Sequence, residues 1–369
     1  MGTRTQSAVQ RIGIMTGGGD CPGLNAAIRA VAKSAILEHQ LEVVGIQDGF
    51  EGMVENRVIK LDYESVSGIL TQGGTILGTS NKADPFYWPE EKKGEITHWD
   101  ASELVVKEYY ALGLDCLFCI GGDGTLSVAK KFHDKGLKII GIPKTIDNDL
   151  SGTDLTIGFD TAVLNAAEAI DKLHTTAESH HRVMVVETMG RYAGWIALQS
   201  GLAGGGDIIL IPEIPYDLEC IVAKVKERNL RGKRYSIIVA AEGARMKGGK
   251  MEVQKIVKTS YEQIRLGGIG RRIAEDIENS TGIESRVTVL GHLLRGGVPT
   301  PFDRFLATRF GVKALSLAME GKFGHMVCLK GHEVSCVPLE EAVSHIKTVP
   351  PDSPLIQVAR AVGTSLGNS

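Results

Sequence analysis

CLFCIGGDGT, residues 116–125, joins a five-residue apolar run to two glycines, an aspartate and the start of a helical pattern. A run this short that ends in glycine and leads into a helix reads as a buried strand turning sharply at its carboxyl end. The same unit recurs along the chain. RIGIM (11–15), VVGI (43–46), KIIGIP (138–143), RVMVVE (182–187), DIILIP (207–212), YSIIVAA (235–241) and RVTVL (286–290) are further short β-rich runs separated by longer helical patterns. Strands nearly continuous in apolar residues belong to parallel sheets covered on both faces, where ligands gather at the strands' carboxyl ends. Polar, mostly glycine-rich clusters fall at those ends: GGGD (17–20), GGDGT (121–125), PKTIDND (143–149) and MGRYAG (189–194). The expected fold is therefore α/β, with two doubly wound lobes of mostly parallel sheet.

A length of 369 residues suits two domains, and 43% hydrophobic content fills their cores. The first lobe is placed at 1–150, with the segment 331–369 free to return to it, and the second at 151–330. The net charge of -3 comes from 41 basic and 44 acidic residues mixed along the sequence. No basic block tracks a nucleic-acid backbone, and no segment reaches the ~18 apolar residues of a membrane span. A cytosolic protein with neither partner is expected. Six irregularly spaced cysteines form no disulfide framework. Cys116 and Cys119 have CxxC spacing, but on a strand residues three apart point to opposite faces, which favours two core thiols over a metal or redox pair.

Each cluster has a mechanical sense. In GGDGT the glycines let the main chain approach phosphate oxygens, and Asp123 can hold Mg²⁺ directly or through water. The alternative is a tight turn with Asp123 capping the helix. GGGDCPGLNAAIRAV (17–31) offers a second turn whose amides can cradle phosphates. PKTIDND sets Asp147 and Asp149 two apart after a strand, so that one carboxylate can face an acceptor hydroxyl and the other a metal or an arginine. An Asx-rich turn around Asn148 fits the same letters. In a loose phosphoryl-transfer transition state a base accepts its proton late, so an ordinary aspartate suffices.

IGIMTGGGDCPGLNAAIR, GGTILGTS, IGGDGT, PKTIDND, GTDLTIGFDTA, SHHRVMVVETMGRYAG and VTVLGHLLRGG, in this order, resemble the 6-phosphofructokinase family from about residue 11 to about 330. The resemblance implies transfer of a phosphoryl group from ATP, with Mg²⁺, to the 1-hydroxyl of fructose 6-phosphate. The alternative within the family is a pyrophosphate donor. It implies Asp147 as the base, Asp149 in the metal and transition-state region, and Thr145 and Arg191 flanking the site. Gly18, Asn81, Lys82, Gly122, Asp123, Gly124 and Thr125 would line the donor, with Asp123 on the metal. Met189, Gly190, Arg191, Glu242, His292 and Arg295 would hold the sugar phosphate, joined by Arg182 and Arg286 from a neighbouring subunit of a homotetramer.

Two positions bear on the donor. Family members that use pyrophosphate carry aspartate where this chain has Gly124, and lysine where the bacterial ATP enzymes have glycine and this chain has Lys144. A carboxylate at 124 would repel the α-phosphate of a nucleotide, so Gly124 outweighs Lys144 and ATP is expected. Arg29, Lys33, Arg57, Arg231 and Lys233 fall near the family's basic effector site, where His174 replaces an arginine; they read equally as solvated surface cations.

Overall fold

A computed structural model describes residues 9–80, 84–92, 95–256 and 264–368. The amino-terminal half runs β1 (Arg11–Thr16), α1 (Leu24–His39), β2 (Glu42–Ile46), α2 (Phe50–Glu55), β3 (Val58–Leu61), β4 (Trp88–Lys92), β5 (Glu95–Trp99), α3 (Ser102–Ala111), β6 (Cys116–Gly121), α4 (Asp123–Asp134) and β7 (Ile139–Pro143). It continues through α5 (Phe159–His180), β8 (Val183–Thr188), α6 (Trp195–Ala203), β9 (Ile208–Leu210), α7 (Leu218–Leu230), β10 (Ser236–Ala241), β11 (Val253–Ile256), β12 (Ile264–Leu266), α8 (Ile269–Thr281) and β13 (Ser285–Val289). The last elements are α9 (Pro301–Met319), β14 (His325–Lys330), β15 (Glu333–Pro338), α10 (Leu339–Ala342) and α11 (Pro354–Ala361).

Seven strands form one sheet in the order β15-β14-β7-β6-β1-β2-β3, and four form a second in the order β13-β8-β10-β9. In the larger sheet β14 to β2 pair in parallel, and the antiparallel strands β15 and β3 close its edges. The smaller sheet is wholly parallel. All eight runs read as strands from the sequence are strands here. Seven further strands, β3, β4, β5, β11, β12, β14 and β15, are additional; the edge strands β3 and β15 are only partly buried, so neither carries a continuous apolar signal.

Burial follows the apolar runs. Every residue of β6, β7, β8 and β10 is buried, as two-sided coverage requires. Along β6, Cys116, Phe118 and Ile120 enter the core on one side while Leu117 and Cys119 enter the core on the other. The two thiols therefore face opposite sides of the sheet, and burial raises both above the ordinary thiol range. No helix among the described residues is long and apolar enough to cross a membrane.

Helix α9 packs on α1 through small residues: a methyl group added at Gly311 would lie 2.6 Å from Ala30 Cβ and 3.0 Å from the Ala27 carbonyl oxygen. From that position α9 buries Asp303, whose carboxylate accepts from the Gly158 amide (2.9 Å), the Thr161 amide (2.9 Å) and the Thr161 hydroxyl (2.6 Å). These are orphan donors at the start of α5, so Asp303 caps a helix that is distant in sequence. Burial pushes its carboxyl up to about 6, against the bonds from Thr161 and Gly158 that pull it down. With the folded value above the ordinary one, stability linked to this group is fullest below pH ~4 and is lost as pH rises through about 6. Asp303→Ala strands three buried donors and is expected to cost on the order of 2–4 kcal/mol. In urea titrations its deficit relative to the wild type should narrow between pH ~4.5 and ~7.

Candidate active site

Strand β1 ends in a glycine loop that is fixed from three sides. The Gly17 amide donates to the Ile120 carbonyl (3.0 Å), the Gly18 amide to the Ser80 carbonyl (3.1 Å), and the Thr79 hydroxyl to the Gly18 carbonyl (2.6 Å). Gly18 has φ +77°, a conformation that other residues rarely adopt. Buried Asn25 on α1 binds the Gln72 and Gly73 carbonyls and the Ile76 amide, which sets GGTILGTS beside this loop. Asn81 and Lys82 lie outside the described residues.

Strand β6 ends in the second glycine turn, and Asp123 opens α4. Gly122 precedes it without a side-chain cap, so the first-turn amides face the carboxyl edge of the sheet, as an anion site requires. Thr125 is buried where side chains at Gly17 or Gly121 would strike it, so the two turns need glycine in order to close on one threonine. Gly124 lies in the first turn of α4, partly exposed.

Strand β7 delivers PKTIDND to the same edge. A methyl group at Gly122 would sit 3.4 Å from the Lys144 carbonyl oxygen and 3.7 Å from Thr145 Cβ, so the two turns touch. The Asp147 amide donates to Thr145 Oγ1 (3.2 Å), and Thr156 Oγ1 donates to the Thr145 carbonyl (2.6 Å). Asp147 and Asp149 are partly exposed, and Asn148 between them is buried at φ 52°. Lys144 is 3% exposed; its ammonium donates to the Gly17 carbonyl at 3.1 Å and to the Gly19 carbonyl. Burial brings Lys144 down to about 8. This lysine therefore braces the glycine loop from beneath.

The smaller sheet supplies the facing wall. Met189, Gly190 and Arg191 leave β8, and Glu242 and Gly243 leave the adjacent β10. The Glu242 amide donates to Thr188 O (2.9 Å) and the Gly243 amide to Gly190 O (3.1 Å), so the two loops leave the sheet in register. Any side chain at Gly243 would overlap the Arg191 carbonyl oxygen, a constraint that neither loop shows in its own sequence. The guanidinium of Arg191 lies 5.6 Å from the centre of the Tyr192 ring. After β13, His292 and Arg295 stand on a short 3₁₀ turn. Arg295 Nη1 donates to Asp20 O at 3.0 Å, and a side chain at Gly19 would overlap its guanidinium. One arginine thus ties the smaller sheet's wall to the glycine loop of the larger.

Arg182 and Arg286 lie elsewhere. Arg182 precedes β8 and Arg286 sits near the start of β13, so both are at the amino-terminal ends of strands whose carboxyl ends form the wall. A strand of this length spans ~20 Å. Within the chain both pair with Glu284, Arg182 Nε at 2.7 Å. Four of the six residues near the family's effector positions are likewise engaged. Arg57 pairs with Asp48 (3.3 Å), Glu51 (2.9 Å) and Glu55 (3.3 Å), Lys33 bonds Ser67 Oγ (3.0 Å), Arg231 pairs with Glu227 (2.7 Å), and His174 bonds Gly204 O (2.6 Å).

No group of three or more His, Cys, Asp or Glu side chains forms a metal cage among the described residues. Mg²⁺ is commonly held by one or two carboxylates together with substrate phosphates, and Asp123 at the helix start offers one such carboxylate.

Two mostly parallel sheets, with glycine turns, the aspartate turn and the Arg191 loop at the carboxyl ends of their strands, define an α/β protein. The phosphofructokinase family model matches residues 11–318. A protein of Clostridium perfringens named ATP-dependent 6-phosphofructokinase 2 is 52% identical over 98% of this chain and 99% of its own length. Another from Spirochaeta thermophila, named ATP-dependent 6-phosphofructokinase, is 50% identical over 98% of each. Among solved structures, the phosphofructokinase of Pichia pastoris in the T-state matches with a TM-score of 0.78 at 30% identity, over 96% of this chain and 36% of that longer one. The chain belongs to the phosphofructokinase family.

The Gly243 contact can be tested through stability alone. Gly243→Ala forces the Arg191 loop away and is expected to cost ~1–3 kcal/mol. Gly296→Ala, whose added methyl group meets only Leu293 O at 3.6 Å, should stay within ~0.5 kcal/mol of the wild type in the same urea titration.

Proposed function

We propose that this chain is an ATP-dependent 6-phosphofructokinase, which converts fructose 6-phosphate and ATP to fructose 1,6-bisphosphate and ADP. The observation that carries this reading is the 52% identity to a protein of that name over 98% of the chain, with PKTIDND seated against the GGDG turn. The pyrophosphate-dependent reaction is the second reading, favoured by Lys144 alone. Lys144 spends its ammonium on the Gly17 and Gly19 carbonyls, a structural task that either donor permits.

In the leading reading the glycine turns at Gly18 and Gly122 offer amides to the donor phosphates, Thr125 supports them, and Gly124 leaves room for the α-phosphate. Asp123 would hold Mg²⁺, which when bound would supply positive charge to the donor phosphates. Asp147 takes the proton of the 1-hydroxyl as its oxygen bonds the γ-phosphorus and the bond from that phosphorus to the ADP oxygen breaks, with Asp149 supporting the metal and transition-state region and Thr145 flanking the site. Arg191 stabilises the charge of the transferring group. Glu242 binds sugar hydroxyls, the Met189–Gly190 backbone lines the sugar, and His292 and Arg295 bind the sugar phosphate.

Arg182 and Arg286 lie too far along the strand to serve this cleft in the same chain. In the proposal they serve a neighbour's cleft in a homotetramer, exchanging Glu284 for the sugar phosphate. The proposed compartment is the cytosol.

Asp147→Asn preserves size and hydrogen bonding but removes the proton acceptor. It should fold normally and lower kcat by ~10²–10⁴-fold, with little change in KM for either substrate. A coupled assay of fructose 1,6-bisphosphate formation checks this, and a variant with near wild-type kcat removes Asp147 from the role of base.

A further inference from the structure

The turn that carries Asp147 and Asp149 is gripped from outside the motif. Residues 346–349, far along the chain from PKTIDND, run beside it. Ile346 pairs with Leu150 in an antiparallel bridge, and the Lys347 amide donates to the Asp149 carbonyl at 2.8 Å. The Lys347 ammonium then donates to three oxygens: Asn148 Oδ1 (3.1 Å), Thr153 O (2.8 Å) and Asp154 O (2.9 Å). An ammonium has three N–H donors, and here each has an acceptor.

Asn148 is the residue that this grip controls. Its φ of 52° is uncommon for a residue with a side chain, and such a conformation persists only when its surroundings hold it. Its Oδ1 accepts from Lys347, and its Nδ2 donates to Asp154 O at 3.2 Å. Because Asn148 separates Asp147 from Asp149, its backbone angles set the relative directions of the two carboxylates.

The same four residues also hold the opposite wall. Trp195 Nε1 donates to the Lys347 carbonyl at 2.9 Å, and the Val349 amide donates to Glu213 Oε1 at 2.8 Å. That carboxylate also accepts from the Gly194 amide at 3.0 Å. Gly194 and Trp195 end the MGRYAG loop that carries Arg191 and begin α6. Residues 346–349 therefore form a strap between the aspartate turn of one sheet and the arginine loop of the other.

We propose that Lys347 is a positioning residue for phosphoryl transfer: its ammonium fixes Asn148, and through it the Asp147–Asp149 turn, while its carbonyl registers that turn against the Arg191 loop. The proposal rests on the phosphofructokinase reading of Asp147 and Arg191. Partial burial lowers Lys347 to about 8, against the Asp154 and Asp149 carboxylates, which raise it.

The test compares Lys347→Met with Lys347→Cys before and after aminoethylation by 2-bromoethylamine, which rebuilds an ammonium at nearly the lysine length. Cys220 and Cys336 are partly exposed, so wild type treated in parallel is the control. Misplacing reacting groups by ~1 Å costs up to ~10²-fold, so Lys347→Met should lose ~10–100-fold in kcat. KM for ATP and fructose 6-phosphate should stay within about threefold, since uniform binding is untouched. Aminoethylation should restore most of kcat to Lys347→Cys. Hydrogen exchange over residues 145–155 and 189–195 should quicken in Lys347→Met. An unchanged kcat, a rise in KM alone, or no recovery on aminoethylation would overturn the proposal. Trp195→Phe, which removes only the indole bond, should lower kcat a few-fold and carries the test if Lys347→Met fails to fold; an unchanged kcat there counts against it. If the wild type turns over neither substrate, the functional reading fails. Exchange still decides the grip on its own: faster exchange supports it and unchanged exchange overturns it.

Discussion

Parallel pairing sends the carboxyl ends of all the strands in a sheet to one edge, and this constraint organises the whole protein. The larger sheet delivers the loops after β1, β6 and β7 side by side, and the smaller delivers those after β8 and β10. Arg295 joins the two edges through the Asp20 carbonyl, and residues 346–349 join them again at the aspartate turn. In the proposed function the two edges present amides, carboxylates and cations to one pair of ligands. The helices have a supporting part: α9 packs on α1 and against β7 and β14, α5 packs against β8 and β10, and Asp303 of α9 caps α5, so helices on the two sheets are tied to each other.

Two lysines, Lys144 buried and Lys347 partly buried, stand behind the catalytic turns. Lys144 donates to the glycine-loop carbonyls and Lys347 to oxygens around the aspartate turn, and burial brings each down to about 8. A buried ammonium without partners is costly, whereas hydrogen bonds from a charged donor contribute ~1.5–3 kcal/mol each. Both lysines thus hold backbone that a tight turn alone would leave free to shift. For Lys144, this separates a structural role from the choice of donor that its place beside TIDND first suggests. In the proposed function Gly124 remains the position that decides the donor.

The fold was legible because most of its central strands are continuous in β-branched and apolar residues and end in glycine or an aspartate turn. The ordered motifs then pointed to the family. In the hairpin β14–β15 the outer strand was not legible, since it is half exposed, whereas β14 carries the buried apolar run Met326–Leu329. Gly243 escaped because what forbids a side chain there is the Arg191 carbonyl on another strand's loop. Lys347 escaped for a similar reason: nothing in HIKTVPP (345–351) shows that it will lie against PKTIDND. Lys144 was singled out, but whether its ammonium points into the cleft or beneath the glycine loop depends on packing around β1 and β7. Motifs record what touches ligand, and the supports behind them come from distant chain segments with ordinary composition.

The most direct measurement is steady-state turnover of the purified wild-type chain with fructose 6-phosphate, supplied separately with ATP and with pyrophosphate, the product being identified by phosphorus NMR. The account predicts fructose 1,6-bisphosphate with either no turnover on pyrophosphate or a kcat/KM for it well below that for ATP. A higher kcat/KM with pyrophosphate, or phosphorylation at a position other than the 1-hydroxyl, would contradict it.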